Sequence, residues 1–567
     1  MGGHVNMMDD VLISNLPPEY LRSVLRALVS QGSIVQQPFV QHIRQRFTDT
    51  PPELYQPKQL FSEPDIVTSE CKRFLALTRC VFSCKMALQS LVYLEHFVTS
   101  IQCATATWSD GSELEAALEK FGGDIVQAVQ ALKESKPEKS SDLEKRLLAL
   151  ISALRNCKSY CENASPKPLT YPFSRAERQV VDVLGFIFPG RQTATSEDGG
   201  ISSERTIQIP MDAAVSSVEH FQLGPFTMPR LFNGLWQLSS PAWGSGTAEK
   251  QEIALTGLVQ AGFVATDMAD HYGDAELVYG DFRNRLTDEY RNQVYAATKW
   301  CVFSPIKRSV TPEWVLGCVK ERCKRLGGRV ELLQFHWYDY EAKEYLDVLL
   351  ELVGITKSHP ELVGTIGLCN FDSEHTREAC DYLLSKTGSV GIVSNQVQFS
   401  LFDSRPLKEM CAVCDKFGLK LLTYGSFCGG FLSSKWLGQE APEIYSETAQ
   451  LTPSQRKYFD MICNWGTWSE FQGLLSTLSL IAKKYGVSLT NVATRWVLQQ
   501  PAVGAVIVGT QLGVSAHGDE NLAVFKFKLD NADIQLINEK ALGDEGQKAA
   551  GVFKKLGDCG NEYRAMH

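Results

Sequence analysis

Apolar residues along the first third of the chain recur at the spacing of one helical face. Asn15-Leu-Pro-Pro18 reads as a helix entry, and Tyr20 to Val29 follows with apolar positions three and four apart. The same period predicts helices over 36–47, 68–102, 112–134, 140–160 and 174–187, with the polar run Ser135–Ser141 as a connector. Phe74 to Ala104 is the most apolar stretch, but Arg79, Lys85, Glu95 and His96 interrupt it. A membrane span needs about 20 largely uncharged residues, so this stretch predicts a buried helix pair. Residues 1–190 are expected to form an all-helical domain. Residues 191–217, with Gly199-Gly200 and clusters of Ser and Thr, predict a linker.

After the linker the pattern changes to short β-rich runs alternating with helices. The strands fall at Leu231–Leu238, Phe263–Met268, Val294–Trp300, Leu332–Trp337, Gly364–Cys369, Val393–Gln398, Leu421–Ser426 and Ala505–Val508. Helical periods fill 248–261, 274–287, 312–326, 344–356, 373–386, 405–417 and 475–499, and a last one follows Asn531. Alternation on this scale predicts an α/β fold, a closed parallel (β/α)8 TIM barrel over 218–550, with 551–567 as a C-terminal tail. An open doubly wound sheet would carry a GxGxxG turn after its first strand, and none is present.

Composition changes little in this picture. Hydrophobic residues at 44% and charged residues at 21% are a soluble globular balance. A net charge of -9 argues against a nucleic-acid binder, which needs a basic surface to displace counterions. Met1 to Asn6 lacks a basic-then-apolar secretory start, so the 16 cysteines are expected to be reduced thiols of a cytoplasmic protein. Cys80-x-x-x-Cys84, Cys157-x-x-x-Cys161 and Cys411-x-x-Cys414 sit on helical patterns among apolar neighbours such as Val81, Phe82 and Leu154. They read as packed thiols, and no metal site is expected.

The chemistry of such a barrel sits at the C-terminal ends of its strands. Asp267 ends the second predicted strand and Tyr272 follows in the loop; Lys299 ends the third and His336 the fourth. Any one of them alone is most simply a solvated charge or a core residue, and it is their joint placement on consecutive strand ends that points to chemistry. Reducing a carbonyl needs a hydride donor and a proton donor for the developing oxyanion. A phenol is a poor acid near neutrality. A lysine ammonium favours the phenolate and lowers its pKa, and a carboxylate holds that lysine charged and in place. Tyr272 is thus the expected acid, Lys299 and Asp267 its tuning pair, and His336 the group that orients the carbonyl.

These residues also resemble the signature of the aldo-keto reductase family. Asp267-Met-Ala-Asp-His-Tyr272-Gly resembles Asp-Thr-Ala-x-x-Tyr-Gly, Ala297-Thr-Lys299 resembles the strand-three Thr-Lys, and Leu333-Gln-Phe-His336-Trp resembles the strand-four His-Trp. Ile366-Gly-Leu-Cys369-Asn370-Phe and Ser394-Asn-Gln396 continue the likeness, which is collinear from about Phe221 to Leu542. The resemblance implies an oxidoreductase acting on an aldehyde or ketone, or on the corresponding alcohol. It implies that Asn370 and Gln396 bind the nicotinamide carboxamide, with Cys369 where the family usually has Ser. Tyr424, followed by Gly425, would stack beneath the nicotinamide ring. Trp236 stands where the family lines its carbonyl pocket, and Trp300 and Trp337 either join that mouth or pack the barrel.

At the diphosphate end, Gly509-Thr510-Gln511 through Glu520-Asn521 resembles the family's Gly-Thr-Arg…His-x-x-Glu-Asn segment with two extra residues. Glu520 and Asn521 would contact adenine, and His517 is the nearby candidate for the 2′-phosphate. An uncharged Gln511 cannot make a bidentate charge-assisted contact with a phosphate. NADPH is the cofactor implied, with NADH open. Trp436 to Glu470 forms a long insertion after the seventh strand, which either extends the helical shell or, as Trp465 and Trp468 favour, forms a lid. The alternative to an enzyme is a cofactor-binding regulatory or scaffold subunit, since some family members are channel-associated. No membrane association is expected. Three roles stay open for the helical domain: dimerisation, binding a protein partner, or covering the barrel.

Overall fold

The computed structural model describes residues 12–191, 206–209, 218–239, 247–447, 449, 451–512 and 518–564. Its first part is built of helices that include Pro18–Val29, Ser33–Asp49, Ser69–Ser83, Ala87–Cys103, Glu113–Glu134, Ser141–Glu162 and Ser174–Ile187. The apolar stretch is the expected pair, broken at Lys85, whose φ of 64° leaves the helical region. Thr68, Ser112 and Ser140 accept hydrogen bonds from the Cys71, Glu115 and Leu143 amides, which sets three helix starts. Phe74, Phe97, Phe121 and Phe173 pack the centre, with Phe97 and Phe121 4.4 Å apart between ring centroids. Arg79, one of the charges that interrupts the apolar stretch, pairs at 2.7 Å with the buried Asp124. No described helix is long and apolar enough to cross a membrane.

The second part is a closed parallel barrel. Strands β3 (Leu231–Gly234), β4 (Ala265–Asp267), β5 (Tyr295–Cys301), β6 (Val330–His336), β7 (Val363–Cys369), β8 (Ile392–Gln398), β9 (Lys420–Tyr424) and β10 (Val503–Gly509) follow one another around it, and β10 closes on β3. Alternation along each strand separates two cores. Phe232, Ala265, Ala297, Leu332, Leu422 and Ala505 fill the interior, whereas Ala296, Leu333, Phe335 and Val506 face the helical shell. A hairpin that the sequence pattern did not reveal, β1 (His220–Leu223) and β2 (Phe226–Pro229), stoppers one end of the barrel. Phe221 and Phe226 lie against Gly504 and Gly364, near the beginnings of β10 and β7. The other end, where the strands finish, stays available for chemistry.

Several boundaries differ from the sequence expectation, each for a local reason. The first barrel strand ends at Gly234, and Trp236–Ser239 turns into a 3-10 helix. The helix expected over 475–499 is two, Trp468–Tyr485 and Leu489–Leu498. Gly486 takes the left-handed φ of 65° that closes the first, and Ser488 caps the second. The insertion after β9 is not a lid carried by exposed tryptophans. Trp465 is buried and donates to the Ala541 carbonyl at 2.6 Å, and Trp468 packs on Phe471 and Phe459. Both belong to the shell. Cys84, Cys157, Cys161 and Cys414 are buried as expected, but Cys80 is exposed, and all sixteen cysteines are free thiols.

Helices Ala275–Arg285 and Pro312–Arg325 meet closely because Gly280 has no side chain; a Cβ there would strike the Arg325 carbonyl oxygen. Gly280→Ala is expected to cost about 1–3 kcal/mol through overpacking, read as a lower urea midpoint with an unchanged slope. An unchanged midpoint would mean that the two helices separate without strain.

The helical part contacts the barrel near its loops. Arg175 pairs with Asp274, Asp182 with Arg325, Lys133 with Glu321, and Lys136 donates to Ser304.

Candidate active site

Alternation places the catalytic candidates. Ala297 points into the barrel, so Lys299, two residues on, does too; Leu332 sends Gln334 and His336 the same way. Lys299 Nζ donates to Asp267 Oδ2 at 2.6 Å, to the Met268 carbonyl at 2.8 Å and to the Tyr272 hydroxyl at 3.3 Å. The ammonium also sits 4.8 Å from the Tyr272 ring centroid. Gln334 and Gln396 donate to Asp267 Oδ1 at 2.9 and 2.8 Å, so both carboxylate oxygens are engaged. Asp267, Lys299 and His336 are buried, while Tyr272 stays half-buried at the mouth. His336 lies beneath Phe303, with 5.3 Å between ring centroids.

Burial sets much of the electrostatics. It works to lower the Lys299 pKa, but Asp267 together with the groups beside it outweighs burial and holds the ammonium well above the usual lysine range. For Tyr272, burial pushes the phenol up and Lys299 pulls it down; burial prevails. The lysine acts in the expected direction, yet the net shift is upward, so the phenol keeps its proton. Burial raises the Cys369 thiol to about 12 against the pull of Lys299, leaving a neutral group at the end of β7.

The cofactor candidates fall into two groups. Cys369, Asn370, Gln396 and Tyr424 converge at the ends of β7, β8 and β9. Asn370 takes a left-handed φ of 58°, its amide donates to the Gln396 carbonyl at 2.8 Å, and its Oδ1 accepts from the Tyr424 hydroxyl at 2.9 Å. Gly425 follows Tyr424 and lies against Tyr458 from the insertion helix Pro453–Trp465. At the end of β10, Gly509 is exposed and closely approached by Gln237. Thr510 donates from its amide to the Gly234 carbonyl at 2.9 Å and from its hydroxyl to Asn233. Gln511 is half-buried; Glu520 is exposed and Asn521 half-buried on the short helix Gly518–Leu522. His517 lies outside the described residues.

The tryptophans divide. Trp236 is 37% exposed on the 3-10 turn after β3. Trp300 and Trp337 do not line the mouth. Trp300 alternates outward onto Trp314 and Phe335, with the Arg322 guanidinium over its ring. Trp337 packs with Phe335 and Tyr345 and donates to the Asp339 and Ala342 carbonyls.

The structure adds residues that sequence reasoning missed. Gln334 was findable, because it precedes His336 by one strand period. Phe303 and His271 wall the mouth beside the tetrad, with 5.1 Å between their centroids. Arg564 donates to the Asn370 carbonyl at 2.7 Å, and Lys457 donates to Tyr563 at 2.5 Å beside Tyr424. These contacts join segments far apart in the chain, for which no local signal exists. Asp270, His271 and Cys301 approach one another to within 4.8 Å. The Asp270 carboxylate there is taken by Arg322 and by the Cys301 amide. Burial would raise that carboxyl, but Arg322, with His271 and Lys133, holds it well below the carboxylate range.

Comparison with known proteins agrees with the barrel fold. The sequence profile described as the Aldo/keto reductase family matches residues 230–542. The chain is 26% identical over 332 residues to the chloroplastic pyridoxal reductase of Arabidopsis thaliana, covering 56% of this chain and 85% of that protein. It is 24% identical over 328 residues to the aldo-keto reductase YhdN of Bacillus subtilis, covering 56% and 91%. It is also 30% identical over 183 residues to flagellar radial spoke protein 5 of Chlamydomonas reinhardtii, a match that spans 30% of this chain and only a third (33%) of that protein. With its closed eight-stranded barrel and a match across more than half its length, this chain belongs to the aldo/keto reductase family, and is an oxidoreductase of that family.

Proposed function

We propose that the protein is a nicotinamide-dependent carbonyl reductase with Tyr272 as general acid. The observation that carries the reading is the contact chain Asp267–Lys299–Tyr272, buried at its base and half-buried at the tyrosine. Its substrates would be small aldehydes or ketones, or in reverse the alcohols. The helical part through residue 190, a connector over 191–217, the barrel over 218–550 and a tail over 551–567 would be its divisions.

What supports a dinucleotide beside the four polar groups is that Asn370, Gln396 and Tyr424 bring amide and ring surfaces to neighbouring strand ends. When bound, the reduced nicotinamide supplies the hydride. Tyr272 delivers a proton to the carbonyl oxygen as charge develops there, and His336 orients that oxygen. Lys299 stabilises the phenolate left behind, while Asp267 and its two glutamine donors hold the ammonium in place. Reduction of 4-nitrobenzaldehyde, followed by loss of reduced-nicotinamide absorbance, tests the reading; a broad carbonyl panel without turnover, beside firm cofactor binding, would overturn it.

NADPH is the proposed cofactor, with NADH as its rival because Gln511 carries no charge. Gln511→Arg is expected to tighten NADPH by about 10-fold, the size of one charged hydrogen bond, and to leave NADH unchanged. Equal effects on the two cofactors in a fluorescence titration would remove residue 511 from the 2′-phosphate site. A scaffold role is favoured only by the partial likeness to the radial spoke protein. The intact tetrad weighs against it, since a scaffold has no need of four convergent polar groups.

A further inference from the structure

The loop that carries Tyr272 is gripped by the helical part of the chain on either side of the tyrosine. Before it, Gln130 Nε2 donates to the Asp270 carbonyl at 3.3 Å, and Gln179 Nε2 donates to Gln130 Oε1 at 3.1 Å, which fixes the gripping amide. After it, Asp274 is fully buried, and Arg175 meets it with two parallel bonds, Nε to Oδ2 at 2.8 Å and Nη2 to Oδ1 at 2.5 Å. Between them lies Gly273 at a φ of 59°, where a Cβ would stand 2.9 Å from Val126 of the helix Glu113–Glu134. The grip passes directly to the phenol's backbone. The Tyr272 amide donates to the Ala269 carbonyl at 3.0 Å, and the Ala275 amide donates to the Tyr272 carbonyl at 3.2 Å.

We infer that Arg175 is a positioning residue for Tyr272: through Asp274 it sets the distance of the phenol from the Lys299 ammonium. The inference rests on the reductase reading given above. Asp274 occupies the N-cap position of helix Ala275–Arg285, yet its side chain makes no cap bond there. Its carboxylate is spent on Arg175 instead. A buried carboxylate deprived of its bidentate partner either draws in water or moves toward it, and Asp274 cannot move without dragging the turn that begins at Tyr272. Proton transfer at the reacting carbonyl is sensitive to such displacement, since a misplacement of about 1 Å costs on the order of 100-fold in rate. Arg175 lies outside the segment that matches the family profile, so this support is an addition carried by the helical part of this chain. The helical part thereby joins the catalytic apparatus without touching substrate or cofactor.

The test uses the full chain with NADPH and 4-nitrobenzaldehyde. Arg175→Met is expected to lower kcat by about 10- to 100-fold, with NADPH affinity unchanged. It should also speed amide hydrogen exchange in peptides covering 268–281 while the strand peptides keep their protection. Arg175→Lys, which keeps the charge and loses the fork, should fall between Met and the native chain, and it decides the matter if the Met variant does not fold. Arg178→Ala serves as control, because its pair with Asp281 lies in the same contact at 3.6 Å but away from the turn; it should leave kcat as it is. Equal loss of kcat in the Arg178 and Arg175 variants, or native kcat and exchange in Arg175→Lys and Arg175→Met, would overturn the inference. If the native chain turns over no carbonyl, the reductase reading falls, and hydrogen exchange alone still shows whether Arg175 holds the loop.

Discussion

Replacing Tyr272 by Phe is expected to lower the rate of carbonyl reduction by about 100- to 10,000-fold, the usual contribution of a placed general acid, while NADPH binding stays at its native level. The change removes one oxygen and keeps the ring, so the edge contact with His271, 4.7 Å between centroids, and the cation–π contact with Lys299 survive. What is lost is the atom 3.3 Å from Lys299 Nζ. The upward shift of the phenol fixes the sign of the pH dependence. Burial raises the pKa above the usual tyrosine value, with Lys299 opposing, so the proton is present throughout the neutral range. Reduction by the native protein should therefore show no falling limb from Tyr272 until the pH passes about 10, the ordinary tyrosine value. Steady-state kinetics across pH, with a cofactor-fluorescence titration of both proteins, checks the pair of claims. Native turnover in Tyr272→Phe would remove the assigned acid altogether.

The second large effect is on stability. Asp267→Leu is expected to cost about 3–5 kcal/mol, because it strips the carboxylate from a buried ammonium. Lys299 is only 2% exposed, and Asp267 is its charged partner at 2.6 Å. The same change leaves the side-chain amides of Gln334 and Gln396 without their shared acceptor, adding to the loss. The double variant Asp267→Leu with Lys299→Met should recover a large share, since an apolar pair of similar size replaces the ion pair without an orphan charge. Urea unfolding of the two single variants and the double one measures the coupling. Simple additivity would show that the two groups are held independently of each other. The double variant should nonetheless be inactive, because the phenol would face no ammonium.

Much of this site is legible in the chain because strands alternate strictly. Once Ala297 and Leu332 are assigned to the interior, Lys299, Gln334 and His336 must share that interior, and their chemistry follows from residue type. The strand ends after β4 to β9 could be read for the same reason: a parallel barrel puts all of them on one rim. Parity also decides Trp300, which stands one residue from Lys299 and therefore points to the helices. That consequence needs the interior register, and the tryptophan's aromatic character alone misleads.

Other features were settled only by the fold. The net shift of Tyr272 depends on how deeply its ring is enclosed, and enclosure is a property of packing that residue spacing does not encode. The insertion's tryptophans suit a lid by residue type alone, yet Ala541 and Phe471 supply them with partners in the shell. The hairpin under the barrel was missed because its two strands are only four residues each, too short for alternation to register.

By itself the sequence determined the alternating barrel, the helical part before it, and Asp267, Lys299 and His336 on its strands, because each is written in local periodicity, with Tyr272 in the loop that follows Asp267. Only the tertiary structure decided that Arg175, Gln130 and Arg564 reach the loops around that rim. Those contacts join residues about 100 to nearly 200 positions apart, and pairing over such separations is fixed by packing, which leaves no trace in the neighbouring residues.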